Sequence, residues 1–158
     1  MDNLENTKKR ALRILGNRNI SEREMRVRLT SKGESPENVE ETIRWLIELN
    51  YINDSRYAMQ IVKHYSEKGY GVMRIRDELY KRGIPGDLWD DKLNMINDDE
   101  MYEAAYEYLN KKLGGSNEKN ELRRASDALI RRGFSYDEAR TVISKYLEST
   151  ELQENPEN

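Results

Sequence analysis

MRIRDELYKRGIPGDLWDDKL, residues 73–93, recurs in character fifty residues to either side. Ile75, Leu79, Gly83, Trp89 and Leu93 correspond to Met25, Leu29, Gly33, Val39 and Ile43 before them, and to Ala125, Leu129, Gly133, Ala139 and Ile143 after them. Apolar residues four apart share one face of a helix, and a glycine four residues beyond the second sits where helices stop in the left-handed conformation. Each copy therefore reads as helix, glycine stop, helix. A fixed internal period decides the architecture before anything else.

The residues around each stop fit this reading. Ile84 and Phe134 follow their glycines where an apolar residue folds back onto the last turn, whereas Glu34 breaks the pattern in the first copy. The next helix opens at Ser35-Pro36, Pro85 or Ser135, and Ser135 with Glu138 has capping-box spacing, as does Ser21 with Glu24. A leading helix precedes each pair: Ala11, Leu12, Ile14 and Leu15 in the first, Tyr57, Ala58, Ile61, Val62 and Tyr65 in the second, and Tyr102, Ala105, Tyr108, Leu109 and Leu113 in the third.

The expected fold is all-α, with three tandem three-helix repeats of period fifty stacked into an elongated, curved array. Their expected bounds are 1–50, 51–96 and 97–148, followed by a disordered tail over 149–158. With 36% hydrophobic and 36% charged residues, no single repeat can build a thick core, so neighbours must cover one another. Gly114-Gly115-Ser116-Asn117 is the most flexible-looking connection.

Composition narrows the chemistry. With no cysteine there are no disulfides or thiolate metal sites, and no run of eighteen apolar residues suggests a membrane span, so a soluble cytoplasmic protein is expected. His64 is the only histidine, set between Lys63 and Tyr65, and reads as a surface residue. Gly69-Tyr70-Gly71 reads as a turn, since it follows no strand. Neither a nucleophile–base set, a phosphate loop nor metal-ligand spacing is present; no catalytic residue, metal or cofactor is expected, and the chain reads as a binding protein.

A net charge of −3 argues against a protein that simply coats nucleic acid. Residues 21–33, 71–83 and 120–133 nevertheless each carry four bases against two acids, while the helices after each glycine lean acidic. Arg74 and Lys81, with Arg124 and Arg131, fall seven apart on one flank; Arg26 and Arg76 lie on the other. Arg82 and Arg132 stand just before their glycines, where a base also neutralises the carbonyl end of a helix. These eight are the candidate contact residues, with Gly33, Gly83 and Gly133 as structural stops.

Arg18-x-x-Ser21-Glu22-x-Glu24-Met25, Tyr51-Ile52-Asn53-Asp54-x-x-Tyr57-Ala58 and Leu129-x-x-Arg132-Gly133-Phe134-Ser135 open or close successive repeats. Between them stands Gly71-x-x-Arg74-Ile75-x-x-Glu78-Leu79-x-x-Arg82-Gly83-Ile84. In this order and spacing, from about Lys8 to Leu147, the chain resembles the bacterial RecX regulatory proteins. The resemblance implies a modulator, usually negative, of the RecA recombinase. It implies binding in the groove of the RecA filament on single-stranded DNA, which impedes ATP hydrolysis, strand exchange and repressor cleavage. A monomer whose basic flanks face the filament, with single-stranded DNA a further possible contact, is the expectation. A stand-alone helix-turn-helix-like DNA binder and a general helical scaffold are the alternatives.

Overall fold

The computed structural model describes residues 3–154. Among them the regular elements are all helical: α1 (Leu4–Leu15), α2 (Glu22–Ser31), α3 (Pro36–Glu48), α4 (Asp54–Glu67), α5 (Val72–Lys81), α6 (Asp90–Asn94), α7 (Asp98–Leu113), α8 (Lys119–Arg131) and α9 (Tyr136–Glu154). Three helices per repeat follow from the period of fifty. None of the described helices is long and apolar enough to cross a membrane.

The helix starts are set by local chemistry. Ser21 and Glu24 form a reciprocal capping box on α2, and Ser135 and Glu138 form the same box at 2.8 and 3.1 Å. Asn53 accepts the Arg56 N–H at 2.9 Å, and Asn97 that of Glu100 at 3.2 Å. Asp54 has another task, accepting the first free N–H of α2, from Glu22, at 3.0 Å. The stops are glycines in the left-handed region, with φ of 85° at Gly33, 70° at Gly83 and 99° at Gly133.

Two expectations need correction. The helix after Pro85 is only a 3-10 turn over Gly86–Leu88 followed by the five-residue α6, because Pro85 offers no capping side chain and the Trp89 indole N–H is spent on the Ile84 carbonyl at 2.9 Å. At the other end α9 continues to Glu154, so residues 149–154 are helical; Thr150 is buried and donates to the Tyr146 carbonyl at 3.0 Å. The rest of the expected tail, 155–158, lies outside the described residues.

The chain divides into two compact units that do not follow the repeat borders. The first comprises the chain up to Gln60 with Glu78–Asp91, the second Ile61–Asp77 with the chain from Lys92 onward. The first unit has a core of Ala11, Leu15, Ile20, Met25, Leu29, Val39, Ile43, Leu46 and Ile52. Glu34, the residue out of pattern, is held there by the Thr7 hydroxyl at 2.6 Å and the Arg10 guanidinium at 3.0 Å, so its carboxylate is nearly buried yet bonded. The second unit is built on Met101, Ala105, Leu109, Leu113, Ala125, Leu129, Phe134, Ala139, Val142 and Tyr146.

The repeat borders are crossed because helix ends meet inside each unit. In the first, the Ser21 hydroxyl donates to the Arg82 carbonyl, so the start of α2 meets the end of α5. In the second, the Gly71 and Met73 N–H groups donate to the Arg132 and Gly133 carbonyls at 2.8 and 3.2 Å, so the start of α5 meets the end of α8. In the second joint, backbone donors at the start of one helix thus satisfy free carbonyls at the end of another, and in the first a side-chain hydroxyl does so. Gly71 is glycine for space alone: its φ is not positive, and a Cβ there would fall on the Gly133 carbonyl.

Two stability results are expected. Gly71→Ala should cost about 3 kcal/mol in urea melts through overpacking, and Gly33→Ala, with nothing within 4 Å of the added carbon, about 1 kcal/mol from backbone strain; equal costs would contradict the joint. The Asp54 carboxyl is raised above its ordinary value, mainly by burial, so the folded chain binds its proton more tightly than the unfolded chain. That contribution is present at low pH and lost as pH rises through the raised value. Asp54→Asn, which keeps the acceptor, should therefore gain in thermal midpoint relative to the parent between about pH 3 and pH 7; parallel pH profiles would contradict this.

Candidate binding surface

The basic residues anticipated from the sequence separate into three groups. Arg82 and Arg132 are engaged within the chain. Arg82 donates through Nε to the Tyr57 hydroxyl at 3.0 Å and meets the Glu78 carboxylate at 2.5 Å. Arg132 lies between two tyrosine rings, its guanidinium carbon 3.9 Å from the centroids of both Tyr70 and Tyr108, and donates to the Gly69 and Lys68 carbonyls at 3.2 and 2.6 Å. A planar cation with a fixed fork of donors suits such a slot, and a lysine would not fill it. Both arginines sit in the last turn as the sequence placed them, but they serve the helix joint.

Arg26 is neutralised where it stands. Its Nε lies 2.6 Å from Glu40 and a terminal nitrogen 3.2 Å from Glu22. The hydrogen bond to Glu40 raises the guanidinium pKa, opposed by burial, and the same bond lowers that of Glu40. Arg74 is half-buried, with its guanidinium 5.5 Å from the centre of the Tyr70 ring and its backbone against Gly133. Lys81 is exposed, 4.0 Å from Glu78.

Arg76, Arg124 and Arg131 remain. All three are exposed, and no hydrogen bond or ion pair reaches them among the described residues. Arg124 and Arg131 are seven apart on α8 and so share one face of it. Arg123, which is not among the flank residues singled out from the sequence, is also exposed and without a partner among the described residues. The signal for it was the Arg123-Arg124 pair itself. An arginine left unpaired in water keeps its whole charge and all five donors for an incoming acceptor.

His64 is exposed and meets Tyr65 edge-on at 5.2 Å. Among the described residues no group of three histidine or acidic side chains is arranged to hold a metal ion. Ser21 and Gly71 matter more than their sequence reading as a cap and a turn implied. Fifty residues apart, they occupy equivalent places in the two helix joints, and that offset was the available clue.

Swapping the arginine in its slot tests this division: Arg132→Lys should lower the unfolding free energy by about 2 kcal/mol, through lost stacking and lost carbonyl bonds, while Arg131→Lys should leave it within about 0.5 kcal/mol. Equal effects in chemical denaturation would contradict the inward placement of Arg132.

Comparison with known proteins bears on what such a surface serves. Residues 53–93 match the family described as "RecX, second three-helix domain" and residues 98–143 that described as "RecX, third three-helix domain". The regulatory protein RecX of Vibrio cholerae is 30% identical over 135 residues, 84% of this chain and 88% of the relative. The regulatory protein RecX of Deinococcus radiodurans is 37% identical over 125 residues, 78% of this chain but only 60% of that longer relative. The crystal structure of RecX from Lactobacillus salivarius superposes with a TM-score of 0.74 at 26% identity, covering 90% of this chain and 96% of that one. On these matches the chain belongs to the RecX family of regulatory proteins.

Proposed function

We propose that this protein is a non-enzymatic, cytoplasmic regulator of the RecA recombinase, acting as a monomer on the RecA filament assembled on single-stranded DNA. It lies in the filament groove and restrains ATP hydrolysis, strand exchange and repressor cleavage. Family membership supports the role of regulator. The observation that carries the mode of contact is the set of unpaired, exposed arginines Arg76, Arg124 and Arg131 on a chain whose net charge is negative. Lys81 and the partly covered Arg74 extend this set, whereas Arg82, Arg132 and the ion-paired Arg26 drop out of it.

The physical case rests on contrast. A chain with an overall excess of acid is repelled by DNA at a distance, so contact must be local, through cations that have no intramolecular partner to give up. Arginines at a polyanionic or acidic surface form bidentate, charge-assisted bonds and speed association by electrostatic steering. Several such contacts in one molecule raise its effective affinity.

Arg124→Glu with Arg131→Glu should weaken binding of the fluorescently labelled protein to RecA–single-stranded DNA filaments by about tenfold or more, with an unchanged circular dichroism spectrum. The same affinity in parent and variant would remove α8 from the contact surface.

A further inference from the structure

The two internal joints define a socket whose third copy stands open. At Gly83 the socket receives the first turn of α2: the Ser21 hydroxyl bonds the Arg82 carbonyl and the Arg23 side chain lies where a Cβ on Gly83 would be. At Gly133 it receives the first turn of α5: the Gly71 and Met73 N–H groups bond the Arg132 and Gly133 carbonyls, and Arg74 lies where the Cβ would be. The end of α2 has the same construction. The Glu34 N–H returns to Leu29 at 3.2 Å, as Ile84 returns to Leu79 at 3.3 Å and Phe134 to Leu129 at 3.1 Å.

At this third stop, however, nothing lies within 4 Å of a Cβ placed on Gly33. Lys32 is exposed, and no hydrogen bond reaches the Lys32 or Gly33 carbonyl among the described residues. The socket is nevertheless held in shape from beneath, because Thr7 and Arg10 fix Glu34.

We propose that the end of α2, at Lys32-Gly33, is a docking site for the first turn of an α-helix from another protein. The occupant's chemistry follows from the two filled copies. Like Gly71 and Met73 at Gly133, it presents free backbone N–H groups, and so the positive end of a helix dipole, to the α2 carbonyls; at Gly83 the Ser21 hydroxyl takes that place. It carries serine or glycine at its start, and its first turn passes over Gly33, as the Arg23 side chain passes over Gly83 and the Arg74 backbone and Cβ over Gly133. A second copy of this chain does not fit. Its equivalent of Ser21 and Gly71 is Glu121, which lies inside α8, because that helix already begins at Lys119. A carboxylate there would face carbonyl oxygens and be repelled.

The test uses the chain's own plug as probe, a fluorescein-labelled peptide of residues 69–82, GYGVMRIRDELYKR, titrated with the full chain. The chain's own α5 already fills the Gly133 socket at far higher effective concentration, so the peptide is directed to the open one. Saturable binding is expected, with amide shift changes centred on Thr30–Glu34. Gly33→Asn, which tolerates the left-handed backbone while placing a side chain in the socket, should weaken binding about tenfold or more at unchanged thermal midpoint. A peptide carrying Gly71→Ala should also bind more weakly. Arg124→Glu with Arg131→Glu should bind the peptide as the parent does, so failure of this inference and failure of the proposed function are separable. No binding up to about 1 mM, binding indifferent to Gly33→Asn, or shifts centred on Gly133 would overturn the proposal. So would self-association in sedimentation that Gly33→Asn abolishes, since the occupant would then be a second copy.

Discussion

Helix ends meeting at a glycine are the constraint from which the rest of this structure follows. A helix terminus leaves four donors or four acceptors unsatisfied, and burying either kind without partners is costly. Here the start of α2 is brought to the end of α5 in one unit, and the start of α5 to the end of α8 in the other. Such an approach is possible only where the stop residue has no side chain. Glycine at these positions therefore answers two demands at once, a left-handed backbone and a close neighbour.

The joint also explains how the basic residues are used. A cation in the last turn can face water or fold back over the helix end. Arg82 and Arg132 fold back, since aromatic partners are supplied from elsewhere in the chain: Tyr57 of α4 for the first, Tyr70 of the α4–α5 connection and Tyr108 of α7 for the second. The repeat thus employs one arginine per joint for its own cohesion. Arg123, Arg124 and Arg131 on α8, with Arg76, are left with their charge uncommitted among the described residues. A chain with a thin core gains from such polar cross-ties, because each unit buries few large apolar side chains.

Much of this was legible in the sequence. The period of fifty, the left-handed stops and the capping boxes at Ser21 and Ser135 are local features, written in residues a few positions apart. What was not legible depends on residues far apart in the chain. Nothing near Arg132 announces Tyr70 or Tyr108, and nothing near Glu34 announces Thr7 and Arg10. The brevity of α6 was half-written, since Pro85-Gly86 is a poor start, but the bond from Trp89 to Ile84 that closes the turn was not. Helix persisting to Glu154 depends on Thr150 being buried, which a polar sequence does not disclose. The compact units cut across the repeats because the joints, not the chain order, decide which helices cohere.

Membership of the RecX family and an uncommitted arginine face on α8 together make one central claim, that the protein binds and restrains RecA filaments. It is tested most directly by the rate of ATP hydrolysis by RecA on single-stranded DNA, with the folded protein titrated in below stoichiometric amounts. A clear fall in rate is the result predicted here. An unchanged rate, using RecA from the same organism, would contradict the claim and leave only the architecture.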